Sequence, residues 1–205
     1  MSRHHYLRKY FIMGSQNCER DPISILEEAA KSGITAFQFR EKGKGSLTGN
    51  EKVELGKSLR EICRKYGIPC IINDDTQLID LLDADGIHVG QDDMSVEELR
   101  RNYPDKIIGL SLSNAEELSR SPIHLVDYVG AGPLYSTKTK VDAKSAVGLT
   151  WIQYLREKYP KLPIVGIGGI NTDNAKTVLD AGADGVSFIS VVTKSNNIQE
   201  TLKLL

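Results

Sequence analysis

The chain has 205 residues and a formal net charge of −1, with 40% hydrophobic and 26% charged residues. This composition is typical of a globular protein with one substantial core, and it excludes a global positive field that would attract nucleic acid or an anionic membrane. Cys18, Cys63 and Cys70 are odd in number and widely spaced, which argues against a disulfide framework or a structural metal and favours a reducing, cytoplasmic location.

The first nine residues are basic but lack the apolar run of a signal peptide, so we expect residues 1–9 to form a mobile N-terminal extension. No later stretch approaches the length of a transmembrane helix. We therefore expect neither a membrane nor nucleic acid as a partner. A homo-oligomer is compatible with the sequence.

Eight short apolar segments, rich in valine and isoleucine, predict β-strands. In chain order they are YFIM (10–13), AFQFR (36–40), CIIND (70–74), GIHVG (86–90), IIGLS (107–111), YVGAG (128–132), IVGIG (164–168) and GVSFIS (185–190). Most are apolar at nearly every position instead of alternating. This pattern is typical of strands that are covered on both faces in a parallel sheet.

Segments with helical spacing lie between the strands. In DPISILEEAAKSG, Asp21 is a suitable N-cap, Pro22 fits the first helical position and Gly33 ends the helix. Further helices are predicted at 48–66, 76–82, 95–103, 149–158, 172–181 and 197–205, with a shorter one at 114–121.

This alternation of strands and helices predicts an α/β fold, a single (β/α)8 TIM barrel spanning residues 1–205. A doubly wound open sheet is the alternative, but the fingerprint GxGxxG is absent after the first strand. A faint echo, LDADGIHVG (82–90) against LDAGADGVSFIS (179–190), would suit a barrel of two halves.

In either fold, function sits at the carboxyl ends of the strands. Gln38, Arg40 and Lys42 end the second strand, and side chains two residues apart on an extended chain share a face. They can point together, while Phe39 and Glu41 point away. Two cations on one face suit a polyanion.

Carboxylates follow the next two strands. Asn73, Asp74 and Asp75 end the third strand, and Asp93 follows the fourth. Mg²⁺ is often held by one or two carboxylates together with substrate phosphates, so we assign Asp74 and Asp93 as its ligands. The alternative is that these aspartates cap the helices near 76 and 95, a role expected for Asp75.

A glycine-rich turn after the seventh strand predicts a phosphate site. Gly168 and Gly169 precede a helix predicted from Thr172, and the loops after strands seven and eight are the usual phosphate site of such barrels. Ser190 would add a donor. Glycine also permits tight packing, which is the alternative explanation.

The loop at 136–148 is long, polar and lysine-bearing, which predicts a lid; a solvated loop without a role is the alternative. Its Thr137 and Thr139 supply donors and Lys140 supplies a charge.

His88 lies inside a strand and is interpreted as a hydrogen-bonded core residue. No Ser/His/Asp set, HExxH motif or Walker lysine is present. Two phosphate sites and a metal indicate an enzyme that stabilises a departing anion.

Six ordered motifs, QFREK, NDD, DGIHVGQDD, YVGAGPLYSTKTK, PIVGIGGI and GADGVSFIS, closely resemble the thiamine-phosphate synthase family, also called thiamine-phosphate pyrophosphorylases. The resemblance runs from about residue 10 to 195. It implies a Mg²⁺-assisted transferase that joins 4-amino-5-hydroxymethyl-2-methylpyrimidine diphosphate to 4-methyl-5-(2-phosphoethyl)thiazole, plain or carboxylated. The products would be thiamine phosphate and pyrophosphate, formed by dissociative loss of pyrophosphate and capture by the thiazole nitrogen.

The resemblance also implies residue roles. The pyrimidine diphosphate would contact Gln38, Phe39, Arg40, Glu41, Lys42, Asn73, Ser111 and Lys140. Of these, Arg40, Lys42, Ser111 and Lys140 would be catalytic. Asp74 and Asp93 would hold the metal. The thiazole phosphate would contact Thr137, Lys138, Thr139, Gly168, Gly169, Ile189 and Ser190.

One position departs from the family pattern. After the fifth strand the family often has a serine, a small residue and a histidine, whereas SLSN places Leu112 and Ser113 there. The histidine is prominent in related thiazole tautomerases, so its absence counts against that activity. A sugar-phosphate isomerase or epimerase and a non-catalytic sensor of thiazole phosphate are the rival functions.

Overall fold

The computed structural model describes residues 5–136 and 145–205. Eight parallel strands pair in chain order, and β1 pairs with β8 to close a barrel, so the predicted barrel is confirmed and the open sheet is wrong. The strands are β1 (Lys9–Met13), β2 (Ala36–Phe39), β3 (Cys70–Asn73), β4 (Gly86–Val89), β5 (Ile107–Leu112), β6 (Tyr128–Ala131), β7 (Ile164–Gly166) and β8 (Gly185–Phe188).

Helices follow the strands around the outside. They are α1 (Pro22–Lys31), α2 (Gly49–Tyr66), α3 (Gln77–Leu81), α4 (Val96–Asn102), α5 (Ala115–Arg120), α6 (Thr150–Lys158), α7 (Ala175–Asp180), α8 (Ser190–Thr193) and α9 (Ile198–Leu204). Short 3-10 turns cover His5–Leu7, Ser15–Asn17 and Ile123–Leu125. The prediction missed α8. It was also wrong about Thr172, because α7 begins only at Ala175.

Local signals explain the helix ends. The carboxylate of Asp21 accepts hydrogen bonds from the N–H groups of Ile23 and Ser24, so it caps α1 as predicted. Gly67 ends α2 with a φ of 64°, a left-handed conformation that glycine adopts without steric penalty.

Two apolar layers form the core. The larger one lies between the strands and the helices, and the smaller one fills the barrel interior. The buried residues of the smaller layer are Leu7, Tyr10, Ile12, Ala36, Ile71, Tyr128, Val165 and Ile189. No helix in the described part of the chain has the length and apolar character needed to cross a membrane.

The N-terminal segment differs from the expectation of a mobile extension. Lys9 already belongs to β1, and Leu7 is fully buried in the interior layer. Tyr6 packs against the same layer. The expectation is therefore wrong for residues 5–9, because apolar side chains there close the bottom of the barrel.

One hydrogen-bonding arrangement recurs at the amino-terminal face of the barrel, where the strands begin. An aspartate directly before an even-numbered strand pairs with an arginine from a helix and accepts the N–H of a residue at the start of the preceding strand. The three pairs, hereafter the Arg–Asp brackets, are Arg60–Asp85, Arg100–Asp127 and Arg156–Asp184. The N–H donors are those of Cys70, Ile108 and Ile164.

A fourth position completes the pattern with a different side chain. Thr35 directly precedes β2, and its Oγ1 accepts the N–H of Lys9 at 2.8 Å. The barrel therefore repeats in units of two strands, four times around. The sequence echo that suggested two halves is part of this finer repeat, because Asp85 and Asp184 occupy equivalent places in it.

Candidate active site

The carboxyl ends of β2, β3 and β4 lie side by side and bring the predicted cations and carboxylates together. Lys42 Nζ lies 2.6 Å from Asp74 Oδ2. Asp74 has a φ of 62°, a left-handed conformation that is uncommon outside glycine, and its N–H donates to the carbonyl of His88 at 3.0 Å. The β3 turn thus holds this carboxylate in a defined direction.

Asp93 completes a pair of carboxylates with Asp74. Its Oδ2 accepts the N–H of Gly90 at 2.7 Å. Desolvation raises the pKa of Asp93, and the negative charge of the neighbouring Asp74 carboxylate raises it further. Two carboxylates that repel each other are stabilised by a shared divalent cation, so this pair fits a metal such as Mg²⁺.

The described residues offer such an ion few other ligands. Across 5–136 and 145–205 no cluster of three or more His, Cys, Asp or Glu side chains could hold a metal. An ion at Asp74 and Asp93 would therefore need further oxygens from a bound ligand. That requirement matches the usual behaviour of Mg²⁺, which binds through one or two carboxylates and substrate phosphates.

Helix capping does not explain these two aspartates. Ser95 caps α4, since its Oγ accepts the N–H of Glu98. Asp75 accepts the N–H of Gln77 near the start of α3, as expected, and also pairs with Lys52 at 2.7 Å. Asp74 and Asp93 instead bond to Lys42 and to the Gly90 turn. The capping alternative is therefore wrong.

The QFREK segment divides its side chains between two sides of β2. Gln38 bonds to Tyr10 inside the barrel, and Phe39 packs outward against α2 at Gly56. Arg40 is buried, with 7% of its surface exposed. Its N–H donates to the carbonyl of Met13. The predicted alternation of faces is confirmed for Gln38 and Phe39.

Glu41 is occupied by the protein itself. Its carboxylate accepts hydrogen bonds from the N–H and the hydroxyl of Ser15 and from the N–H of Leu47. It thus anchors the loop after β2 to the loop after β1. The predicted contact of Phe39 and Glu41 with a ligand stays a prediction, and only their main-chain atoms are suited to make it.

A continuous chain of hydrogen bonds crosses the barrel interior. Gln38 Nε2 bonds to Tyr10 OH at 3.0 Å, and Tyr10 OH lies 2.6 Å from Tyr128 OH. Tyr128 OH lies 3.0 Å from His88 Nδ1, and His88 Nε2 lies 2.8 Å from Ser111 Oγ. The predicted hydrogen-bonded role of His88 is confirmed. We call these five side chains the interior chain.

A cleft of about 640 Å³ opens beside the ends of β1, β7 and β8. Gly168 and Gly169 line it, together with Ile189 and Ser190, so the residues predicted to hold a phosphate after the last two strands lie together. Both glycines have positive φ angles of 89° and 68°. A Cβ on Gly168 would lie 2.5 Å from Pro133 Cβ, so the turn also needs glycine for packing.

With this geometry established, the chain can be compared with known proteins. The family model described as thiamine monophosphate synthase matches residues 9–192. The thiamine-phosphate synthase of Oceanobacillus iheyensis is 62% identical over 201 residues, covering 98% of each chain. Thiamine-phosphate synthase 1 of Streptococcus pneumoniae is 47% identical over 198 residues, covering 96% of this chain and 95% of the relative. The chain belongs to the thiamine-phosphate synthase family.

A solved structure agrees with this assignment. Thiamine phosphate pyrophosphorylase from Pyrococcus furiosus superposes with a TM-score of 0.86 at 31% identity, covering 100% of this chain and 96% of that one. The family resemblance and the transferase activity predicted from the six motifs are therefore confirmed.

Four residues of the predicted thiamine-phosphate synthase site lie outside the described residues. They are Thr137, Lys138, Thr139 and Lys140. Their neighbour Ser136 lines the cleft, so the predicted lid begins at its edge. Ser113, which replaces the family's frequent histidine, is buried, and its N–H donates to Glu117 at 2.8 Å.

Several site residues were missed by sequence reasoning. Tyr10 and Tyr128 belong to the interior chain, and Thr193 and Lys194 line the cleft. Thr193 Oγ1 is buried and finds no hydrogen-bond partner among the described residues. Among the described residues lining the cleft, Lys194 is the one cation. The available signal was the tyrosine that interrupts each of the apolar segments KYFIM and DYVGAG.

Proposed function

We propose that this protein joins 4-amino-5-hydroxymethyl-2-methylpyrimidine diphosphate to 4-methyl-5-(2-phosphoethyl)thiazole at the carboxyl-terminal face of the barrel, releasing pyrophosphate. The observation that carries the proposal is the pair of carboxylates, Asp74 and Asp93, beside the cation Lys42. This arrangement suits a metal-bound diphosphate, and the cleft at β7 and β8 offers separate space for a phosphorylated second substrate.

The basic side chains of the β2 end would stabilise the departing anion. As the C–O bond to the diphosphate breaks, its electron pair leaves with pyrophosphate, and a pyrimidinylmethyl cation remains. Arg40 and Lys42 directly follow the end of β2 and would offset the negative charge that builds up on pyrophosphate. A well desolvated contact of this kind can contribute roughly 3 kcal/mol to the transition state. The nitrogen of the thiazole then donates its lone pair to the cation.

Asp74 and Asp93 would hold Mg²⁺, which when bound neutralises charge on the diphosphate. The chain's own part is to keep the two carboxylates close to each other at the ends of β3 and β4. The hydrogen bond from Asp74 N–H to His88 and that from Gly90 N–H to Asp93 maintain this placement. Asn73 precedes Asp74 and pairs in register with His88, which supports its predicted contact with the pyrimidine diphosphate.

The cleft would take the thiazole phosphate. Gly168, Gly169, Ile189 and Ser190 line it, and Lys194 adds a positive charge at its edge. The buried Thr193 hydroxyl has no partner within residues 5–136 and 145–205, so it is available to bond to a ligand or a water. A cytoplasmic location is part of the proposal, since all three cysteines are free thiols.

The rival functions fit less well. A sugar-phosphate isomerase needs one phosphate site and a carboxylate base, so the cations at β2 would have no role. A sensor of thiazole phosphate would not need the paired carboxylates. A coupled pyrophosphate-release assay separates the three, because only the synthase consumes both substrates and makes thiamine phosphate.

The assay is run with both substrates, with each alone, and with a chelator. We expect release only with both substrates and the metal. Asp74→Asn and Asp93→Asn should each remove most of the release while leaving the thermal midpoint nearly unchanged. Asp92→Asn is the matched control, since Asp92 is adjacent to Asp93 and equally exposed but is not assigned to the metal. Full activity in both Asp74→Asn and Asp93→Asn would remove the metal assignment.

A further inference from the structure

The interior chain joins five strands through side chains far apart in the sequence. It runs from Gln38 on β2 through Tyr10 on β1, Tyr128 on β6 and His88 on β4 to Ser111 on β5. Tyr10 and Tyr128 are 1% and 0% exposed, so bulk water does not compete for their hydroxyls. Both ends of the chain are residues expected to contact the pyrimidine substrate.

The backbone makes room for this chain. A Cβ on Gly109 would lie 2.2 Å from Tyr128 Cζ and 2.6 Å from His88 Nδ1. A Cβ on Gly130 would lie 3.0 Å from His88 Cε1. Glycines at these two strand positions therefore leave the space that the rings of Tyr128 and His88 occupy.

The hydrogen bonds must all run in one direction. Each phenol carries a single proton, and burial raises the pKa of Tyr10 and Tyr128 so that both stay protonated. Gln38 Nε2 donates to Tyr10 OH, so Tyr10 must donate to Tyr128. Tyr128 then donates to His88 Nδ1.

The same logic fixes the far end of the chain. Because His88 Nδ1 accepts a hydrogen bond from Tyr128, it carries no proton, so the ring is neutral with its proton on Nε2, and this group donates to Ser111 Oγ. The proton of Ser111 is left for a ligand. At the near end, Gln38 uses its Nε2 group to donate to Tyr10, so its Oε1 atom faces away as an acceptor. Among the described residues, no donor forms a hydrogen bond with Gln38 Oε1.

We propose that Tyr10, Tyr128 and His88 are positioning residues that fix Gln38 as an acceptor and Ser111 as a donor, and so select an aminopyrimidine over an oxopyrimidine. The proposal rests on the proposed function and explains how that site would distinguish one pyrimidine from the other. An amino group donates to Gln38 Oε1, whereas an oxo group would face it as a second acceptor. Turning the amide over would require reversing every hydrogen bond of the chain.

The first test determines the direction of the hydrogen bonds in the interior chain, using the protein without ligand. Nitrogen-15 NMR of the His88 side chain should show a proton on Nε2 and none on Nδ1. A proton on Nδ1, or on both nitrogens, would overturn the proposal. Because no substrate is present, this result is independent of the proposed function, which fails separately if both substrates release no pyrophosphate.

The second test interrupts the hydrogen bonds of the interior chain. In Tyr128→Phe, Tyr10 loses its acceptor and the Gln38 amide can turn over without reversing the rest. We expect wild-type protein to favour the 4-amino pyrimidine diphosphate over its 4-oxo counterpart by about a hundredfold in binding, and Tyr128→Phe to lower this ratio about tenfold. The His88 nitrogen shifts should move towards an average of the two tautomers.

The control is Tyr66→Phe, which removes a phenol that bonds to Glu27 outside the barrel at 2.9 Å. It should change neither the binding ratio nor the His88 spectrum. Should Tyr128→Phe not fold, Tyr10→Phe cuts the chain one bond earlier and gives the same test. A folded variant with an unchanged ratio would overturn the selection role.

Discussion

The ammonium group of Lys42 lies 2.6 Å from Oδ2 of Asp74, so the cation expected at the diphosphate holds a carboxylate expected at the metal. When substrate and metal bind together, Lys42 therefore has to leave Asp74 for the diphosphate, and Asp74 has to leave Lys42 for the metal. In the free protein Lys42 neutralises part of the repulsion between Asp74 and Asp93.

Replacing this cation should strengthen metal binding in the absence of substrate. In Lys42→Met an ion no longer competes with the ammonium group for Asp74. The Lys42 side chain is 49% exposed, which limits the gain to about two- to fivefold in affinity. Titration with Mn²⁺ followed by electron paramagnetic resonance measures it, while pyrophosphate release should fall.

The matched control is Lys44→Met, which removes a cation from the same exposed loop. It should leave the affinity for Mn²⁺ unchanged. Unchanged or weaker binding of Mn²⁺ by Lys42→Met would contradict the idea that Lys42 and the metal compete for Asp74.

The raised pKa of Asp93 gives a pH dependence. A carboxyl group whose folded-state pKa lies above its unfolded value binds protons more tightly when folded, so it destabilises the metal-free protein at neutral pH. This destabilisation is relieved as the pH falls through the folded pKa. Asp74→Asn should lower the pKa of Asp93 only in part, because desolvation, the largest cause, remains. Carbon-13 NMR of the metal-free protein checks this, and an unaltered pKa would contradict it.

Arg40 should act on the departing anion and not on substrate affinity. Arg40→Ala is expected to lower kcat about a hundredfold, the effect of losing one desolvated contact to the transition state, with a smaller change in KM. Steady-state pyrophosphate release measures both. A change in KM alone would show that Arg40 only binds the ground state.

Glu41 should behave as an anchor of the site. Glu41→Gln replaces a carboxylate that accepts three hydrogen bonds and should lower the free energy of unfolding by about 1–3 kcal/mol. Urea unfolding measures this, and Glu54→Gln, which affects only an exposed pair with Lys57, is the control. Loss of activity with unchanged stability would instead indicate that Glu41 contacts the substrate.

The barrel was predictable because its strands are apolar on both faces. Charged ends such as Lys42, Asp74 and Asp93 could also be placed, since the carboxyl ends of parallel strands meet at one face. Predicting that these three charged residues lie close together therefore required only the order of the strands. The helix α8 was missed because Ser190–Thr193 is too short to show a helical period.

The interior chain could not be predicted, because its contacts join distant segments. Tyr10 and Tyr128 are 118 residues apart, and each lies in a segment that reads as an apolar strand. The same holds for Glu41, whose partner Ser15 is 26 residues away. Such contacts depend on how the strands pack inside the barrel, which spacing along the chain does not show.

The Arg–Asp brackets should support stability without supporting catalysis. Asp85 accepts two hydrogen bonds from Arg60 and one from the N–H of Cys70, at the barrel face opposite to the active site. Asp85→Asn should therefore lower the free energy of unfolding by about 1–3 kcal/mol while kcat at a permissive temperature stays unchanged. Asp83→Asn, which affects exposed pairs nearby, should leave stability unchanged. Urea unfolding and pyrophosphate release measured on the same samples test this, and a fall in kcat without a loss of stability would show that the two faces are coupled.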